Sequence, residues 1–319
     1  MSLHVFANCV TPFGTAANNR GDSQGANITP LQKLLWYGEP HTTVSAEAIR
    51  FALRRCLEAI EPTNRTWNES AQPKPRNEWK DDQFSGWATE DGKVFIDDDL
   101  LGFMSAQAAK EDGSDHEESQ IPAKRSRAKG TVTLRRGLLE VTRAVSLTPW
   151  AGDVTFNANT PWSNLGAKDK DNPGPYGTEV HATRYQYGVA LTPERLRDKS
   201  RAAKAIEALC NLGTVAGNHG RFLFDFSPEA VIFRLTADPA PRLLYCFSTN
   251  DDGKTVTADA LLKRLQAGDV AKEELVLGVS DLGSPLARQF AEVGVTAHGV
   301  KAACAEAVKR TNAELKIKG

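Results

Sequence analysis

The sequence predicts an α+β fold built on a βαββαβ unit that carries large insertions. Three observations predict it. Two stretches that alternate in hydrophobicity, LHVFANCVTP at 3–12 and TRYQYGVALT at 183–192, read as strands, and each is followed in the chain by an amphipathic helical stretch, at 45–60 and 192–213. A β-branched stretch lies between the helices at 130–150, and EAVIFRLT at 229–236 follows the second helix. Long segments rich in Gly, Pro and Asn stand where a small unit of this ferredoxin-like order has short turns.

Taken in order, Leu3, Val5, Ala7 and Cys9 alternate with His4, Phe6, Asn8 and Val10 in the first strand. The following loop, FGTAANNRGDSQGANITP, is long for a connection, and long loops tend to carry function. SAEAIRFALRRCLEAI is the clearest helix: Ser45 suits the N-cap, Glu47 the positive helix start and Pro62 the stop. Ile49, Phe51, Leu53, Cys56, Leu57 and Ile60 give it an apolar face, and Arg50 and Arg54 stand one turn apart on the opposite, exposed face. Residues 61–93 are polar, with Trp, Asn and Pro, and read as an insertion; VFIDDDLLGFMSAQAA returns to apolar character; KEDGSDHEESQIPAKRSRAKG reads as flexible. The stretch 130–150 reads as one or two strands, and 151–182 as a turn-dense excursion. TPERLRDKSRAAKAIEALCNLG reads as one helix with Thr192 as N-cap, Pro193 at its first position and Gly213 at its end. GRFLFDF and EAVIFRLT read as two strands joined by a Ser-Pro turn. Beyond about residue 240, RLLYCFS and ELVLGVS read as strands, and TADALLKRLQAG and the stretch near HGVKAACAEAVKR as helices.

Composition narrows the function classes. The 319 residues are 40% hydrophobic and 25% charged, as in a soluble globular protein with a substantial core. No signal-peptide pattern opens the chain and no apolar run approaches the ~20 residues of a membrane span, so a cytoplasmic protein is expected. Five scattered cysteines without a CxxC pair suggest neither a zinc site nor a disulfide framework. The formal net charge of −1 speaks against a generic nucleic-acid binder. Its distribution speaks otherwise: 123–143 holds seven basic residues against one acid, a local +6, while five acids crowd 111–118.

Individual motifs stay open. NLGTVAGNHGRFLFDF is no P-loop, because no GK[ST] follows, and it runs from helix to strand, the reverse of a dinucleotide fingerprint. It is either a plain turn or a place where another backbone passes close to exposed N–H groups. His41, His181 and His219 could each serve as a general base, but no Ser or Cys sits in a nucleophile elbow, and a packing or surface role is the simpler reading. Asp97, Asp98 and Asp99 could bind a divalent metal or simply form a solvated loop or helix start. Arg50 and Arg54 could track phosphates. In the excursion, Trp162 beside Asn159, Pro161 and Asn164, with Tyr176 further on, could wedge between bases.

Four stretches in order, ANNRGD, TTVSAEAIRFALRR, DDDLLGFMSA, and EVHATRYQYGVALTPERL through TVAGNHGRFLFDFSPEAVIFRLT, give the chain a resemblance to the DevR-type backbone subunits of type I-B CRISPR surveillance complexes (Cascade), within the RAMP superfamily. The resemblance covers about 3–236. It implies a non-catalytic, cofactor-free and metal-free RNA-binding protein shaped like a hand. The implied RRM-like palm is 1–60 and 131–319 including a C-terminal extension, with an inserted fingers and web region at 61–130 and a thumb β-hairpin at about 151–180. Copies are expected to line up along one guide RNA and to displace its bases periodically, so that the guide pairs with a target DNA strand. Implied partners are the guide RNA, the target strand through the guide, further copies of the chain, the capping, large and small subunits, a guide-processing endoribonuclease, and a nuclease-helicase or transposition adaptor; no membrane is implied. Asn18, Asn19 and Arg20 match the family's guide-facing loop, Ser45, Arg50 and Arg54 its RNA-facing helix, and Gly217, Asn218, His219 and Gly220 its late glycine loop. Trp162, with Asn164, is proposed as the thumb wedge on tip position alone, and Lys124, Arg125 and Arg127 as phosphate contacts on charge alone. The insertion at 61–93 and the tail after 240 lie outside the resemblance. An endoribonuclease of the same superfamily, using His219, and a relative that binds only protein are the competing readings.

Overall fold

The computed structural model describes residues 2–17, 28–107, 131–157, 176–216, 223–250 and 253–317. Strand β1 (His4–Val10) is followed by β2 (Gly14–Ala16), β3 (Ile28–Thr29), β4 (Lys33–Trp36) and β5 (Glu39–Val44), then helix α1 (Ala46–Glu58). A hairpin of β6 (Arg65–Asn68) and β7 (Arg76–Trp79) leads to α2 (Ile96–Leu101), and β8 (Gly102–Gln107) pairs with β9 (Thr131–Arg136) as a separate ribbon. Strands β10 (Leu139–Val141) and β11 (Ala144–Ser146) precede a second hairpin, β12 (Val154–Asn157) with β13 (Tyr176–Glu179). Then come β14 (His181–Thr183), β15 (Tyr185–Leu191), α3 (Arg201–Cys210) and β16 (Ala230–Thr236). The tail adds β17 (Ser248–Asn250), β18 (Thr255–Thr257), α4 (Asp259–Gln266), β19 (Leu275–Val279), α5 (Pro285–Glu292), β20 (Ala297–Gly299) and α6 (Val300–Glu314).

The central sheet runs β20-β19-β16-β1-β15-β11-β5-β4, with β10 also on β15, and every neighbouring pair except β19–β20 is antiparallel. The strand from β10 to β11 carries one extra residue against β15, because Val141 faces Val189 while Val145 faces Gln186. Thr142 fills this bulge: its hydroxyl accepts from the Gly188 N–H and its own N–H donates to the Gly188 carbonyl.

Both faces of the sheet are covered. On one face Val5, Ala7 and Cys9 of β1 and Tyr185, Tyr187, Val231 and Phe233 pack under α1, α3 and α6. Helix α1 gives Ile49, Leu53 and Leu57, each fully buried and each contributing about 1.5–3 kcal/mol of apolar burial. On the other face Phe6 and Val10 pack with Ile232 and Leu277 under Leu261 of α4 and Phe290 of α5. A buried polar network closes that layer: Asn8 donates to Gln186, and Asn8 and Gln186 accept from the Tyr245 and Phe247 N–H groups.

Several sequence expectations give way to packing. The helix expected from Thr192 begins only at Arg201, after a short turn at Pro193–Arg195, because the Asp99 carboxylate takes the N–H groups of Arg197 and Asp198. Residues 223–226, expected as a strand, join none. Phe226 instead donates its N–H to the Gly213 carbonyl, and Phe224 and Phe226 pack their rings against Tyr185. RLLYCFS is not a strand before Ser248, because left-handed backbone at Arg242 and Tyr245 turns it across the sheet. The polar stretch 61–93 is folded: its β6/β7 hairpin and the segment after it set Phe84 and Trp87 against Phe103, with Phe84 and Phe103 stacked at 3.7 Å and Trp79 edge-on to Phe84.

Candidate nucleic-acid interface

Ser45 caps α1 as its residue type predicts: the hydroxyl accepts from the Ala48 N–H at 3.2 Å. One and a half turns on, Arg50 and Arg54 leave the helix on the flank that faces α2. They are half-buried and bonded, not exposed as the sequence suggested. Arg50 donates to the Leu101 carbonyl, and Arg54 pairs with Asp97 at 3.0 Å.

The acidic run Asp97–Asp99 is neither a metal cluster nor a solvated loop. All three side chains are buried in the first turn of α2. Asp97 accepts from Arg54 and from the N–H groups of Asn64 and Arg65. Asp99 accepts from Arg197, Asp198 and Arg201 and stands 3.6 Å from Arg135. Asp98 accepts one bond, from the Asn64 amide, and its second oxygen has no partner. Burial, reinforced by neighbouring Asp97 and opposed by that bond, pushes its pKa up to about 7.

Arg50, Arg54, Arg65 and Arg135 line one open groove of ≈ 640 Å³, floored by Trp79 and Gly102. Among the described residues Glu47 is the one acid in that lining. Gly102 permits the close approach of β9: it has φ +67, and a side chain there would collide with the backbone at Arg135. Burial lowers the pKa of Arg50, Arg65 and Arg135, and neighbouring arginines lower them further: Arg54 for the first two, Arg197 and Arg195 for the third. Arginine stays charged under such pressure, so the groove holds closely spaced cations, with Nε of Arg65 and of Arg135 unbonded. A polyanion relieves that repulsion, although the two unbonded Nε atoms are themselves buried and out of its reach; the guanidinium edges that line the groove match phosphodiester oxygens.

A second locus gathers the roots of three segments. Strands β2 and β14 pair before residue 18; β3 pairs with β13 after residue 27, in parallel; and Phe224 contacts Gly14. Within 151–180, β12 pairs antiparallel with β13. Asn18, Asn19, Arg20, Trp162, Asn164, Gly217, Asn218, His219, Gly220, Lys124, Arg125 and Arg127 lie outside the described residues. The last three belong to the chain between β8 and β9, the ribbon that borders the arginine groove.

His41 and His181 are buried packing residues. His41 contacts the Ser146 carbonyl at 2.6 Å, and His181 bonds Thr42 and Thr148, its pKa pushed down to about 4 by burial. Among the described residues no His, Cys, Asp and Glu group could hold a metal ion, and no helix is long and apolar enough to cross a membrane. Arg65 and Arg135 escaped the sequence reading. Their signal was the aromatic next to each in space, Trp79 for Arg65 at 5.5 Å and Trp87 for Arg135 at 4.0 Å, which only the fold brings together.

No family model matches the sequence. The chain is 56% identical over 316 residues to the CRISPR-associated protein Cas7/Cst2/DevR of Myxococcus xanthus (strain DK1622), covering 97% of this chain and 98% of that protein. In fold it resembles a chain of a solved CRISPR RNA-guided surveillance complex in a pre-nicking state, with a TM-score of 0.57 at 12% identity over 95% of this chain and 100% of that one. At 56% identity to that Myxococcus xanthus protein over almost its whole length, the chain belongs to the Cas7/Cst2/DevR family of CRISPR-associated proteins.

Proposed function

We propose that this protein is a non-catalytic backbone subunit of a type I-B CRISPR surveillance complex, several copies of which bind one guide RNA and present it to target DNA. The observation that carries the reading is a groove lined, among the described residues, by four guanidiniums and one acid, beside α1, in a chain of this family. Arg50 and Arg65 bind phosphates directly; Arg54 and Arg135 add charge while held by Asp97 and Asp99.

The palm is 1–60 with 131–319, the fingers and web 61–130, and the thumb the hairpin at 151–180. The order β16-β1-β15-β11, with α1 and α3 on one face, supports an RRM-like palm. An RRM binds RNA on its open sheet face. Here that face lies under α4, α5 and the Tyr245–Phe247 segment, so we assign the RNA to the α1 flank and the thumb side. Asn18, Asn19, Arg20, Ser45, Lys124, Arg125, Arg127 and the 217–220 loop complete the proposed contacts, with Trp162 and Asn164 at the thumb.

Co-expression with a guide RNA tests this. A large RNA-containing assembly is expected, and protein purified free of nucleic acid would overturn the reading. Hairpin-RNA cleavage abolished in His219→Ala would favour the endoribonuclease instead. Reversing Arg54 is a poor probe, because a carboxylate there would face buried Asp97; Arg50→Gln with Arg65→Gln leaves that pair intact.

A further inference from the structure

The hairpin β12/β13 is bolted to the sheet edge by one carboxylate. Glu179, at the end of β13, accepts from the Leu31 N–H at 2.6 Å and from the Lys33 ammonium. That ammonium stands 3.8 Å over the Trp150 ring, and the Trp150 indole N–H donates to the Val180 carbonyl at 3.0 Å. Trp150 in turn donates its backbone N–H to the Pro40 carbonyl, on β5. The Val180 N–H meets the Asp153 carbonyl and closes the hairpin root. Glu179 and Lys33 are largely shielded, at 12% and 22% side-chain exposure, so the pair is stronger than a surface ion pair.

These bonds converge from three directions: the chain leaving the 18–27 loop, the sheet-edge strands β4 and β5, and both arms of the hairpin. Among the described residues, β3 adds two paired residues to β13, and His181 just past the hairpin bonds Thr42 of β5.

We propose that Glu179 is a positioning residue that, with Lys33 and Trp150, sets the angle of the thumb hairpin and thereby the regular displacement of guide bases. The proposal rests on the backbone-subunit reading above.

The test uses the chain co-expressed with a guide RNA, the wild type against Glu179→Gln, with per-nucleotide chemical probing of base accessibility. The wild type is expected to give reactivity at a regular spacing. The variant is expected to keep particle size and RNA content while the contrast between displaced and stacked bases falls about fivefold, the population shift that follows when one shielded ion pair is removed. If Glu179→Gln does not fold, Lys33→Met, which keeps the Leu31 bond, carries the same expectation. A regular wild-type pattern left unchanged in both variants would overturn the positioning role alone. A wild type that gathers no RNA would instead overturn the function it rests on.

Discussion

Two arginine clusters in this molecule use the same side chain for opposite ends. Arg234, on β16, is 2% exposed and fully satisfied: Glu274 at 2.7 Å, Asp238 at 3.1 Å and the Ala240 carbonyl at 2.7 Å surround its guanidinium. In the groove beside α1, the acids are taken up by Arg54 and Arg135, Arg50 has a backbone carbonyl, and Arg65 stands over Trp79 with its Nε unbonded. A saturated arginine holds the fold; on the proposed reading Arg50 and Arg65, whose guanidiniums form no ion pair among the described residues, are the ones left for an anion. Charge density along the sequence does not separate the two; carboxylate supply does.

The contrast between the clusters can be broken at several points. The largest effect is expected from Arg234→Met, which leaves Glu274 and Asp238 facing a buried gap: a drop of about 3–5 kcal/mol in urea unfolding, with RNA affinity per folded molecule unchanged. Next is Asp98→Asn. The native carboxyl, with its pKa near 7, binds a proton that the unfolded chain releases near its ordinary value of 3.8. Wild-type stability attributable to this group therefore falls as pH rises from about 4 to about 7 and is flat above. The asparagine variant lacks that fall, and at pH 8 it is expected to be more stable than wild type by on the order of 1–3 kcal/mol, with the gap closing toward pH 4. Arg54→Ala is expected to cost both properties, because Asp97 loses its cation as the groove loses one. Its melting temperature and its RNA affinity should fall together. Smallest is Arg136→Ala, which breaks the exposed pair with Glu140: under about 0.5 kcal/mol, and no detectable change in RNA binding.

Much of the fold was legible in the sequence because local patterns carried it. The alternation in 3–12 and 183–192, the Ser45 cap and apolar face of α1, and the helix read near HGVKAACAEAVKR each predict the element found. The failures have a common cause in long-range bonds. Asp99 captures the backbone that would have begun α3 at Thr192, and the core rings of Phe224 and Phe226 pull an apolar stretch away from strand pairing. The acidic run at 97–99 resembles a solvated helix start; arginines arriving from α1, β9 and α3, with backbone N–H groups from 64–65 and 197–198, make its burial tolerable. For the candidate site, the capped helix α1 was legible, but the half-buried, bonded state of Arg50 and Arg54 was not. Arg65 and Arg135 were not, since they enter the groove from segments 70 residues apart in the chain.

The central claim is that the unsaturated groove binds the RNA backbone. Affinity of Arg50→Gln with Arg65→Gln for a single-stranded guide RNA, measured across a salt series, tests it most directly. Glutamine ends two bonds short of the Arg50 Nη2 that donates to the Leu101 carbonyl, so the melting temperature is measured beside affinity, with a loss of about 1 kcal/mol expected. Each phosphate that the groove no longer neutralises lowers the slope of log affinity against log salt by about 0.7. Two such phosphates should lower it by about 1.4, with weaker binding at every salt concentration. An unchanged slope and unchanged affinity in a folded variant would contradict the account.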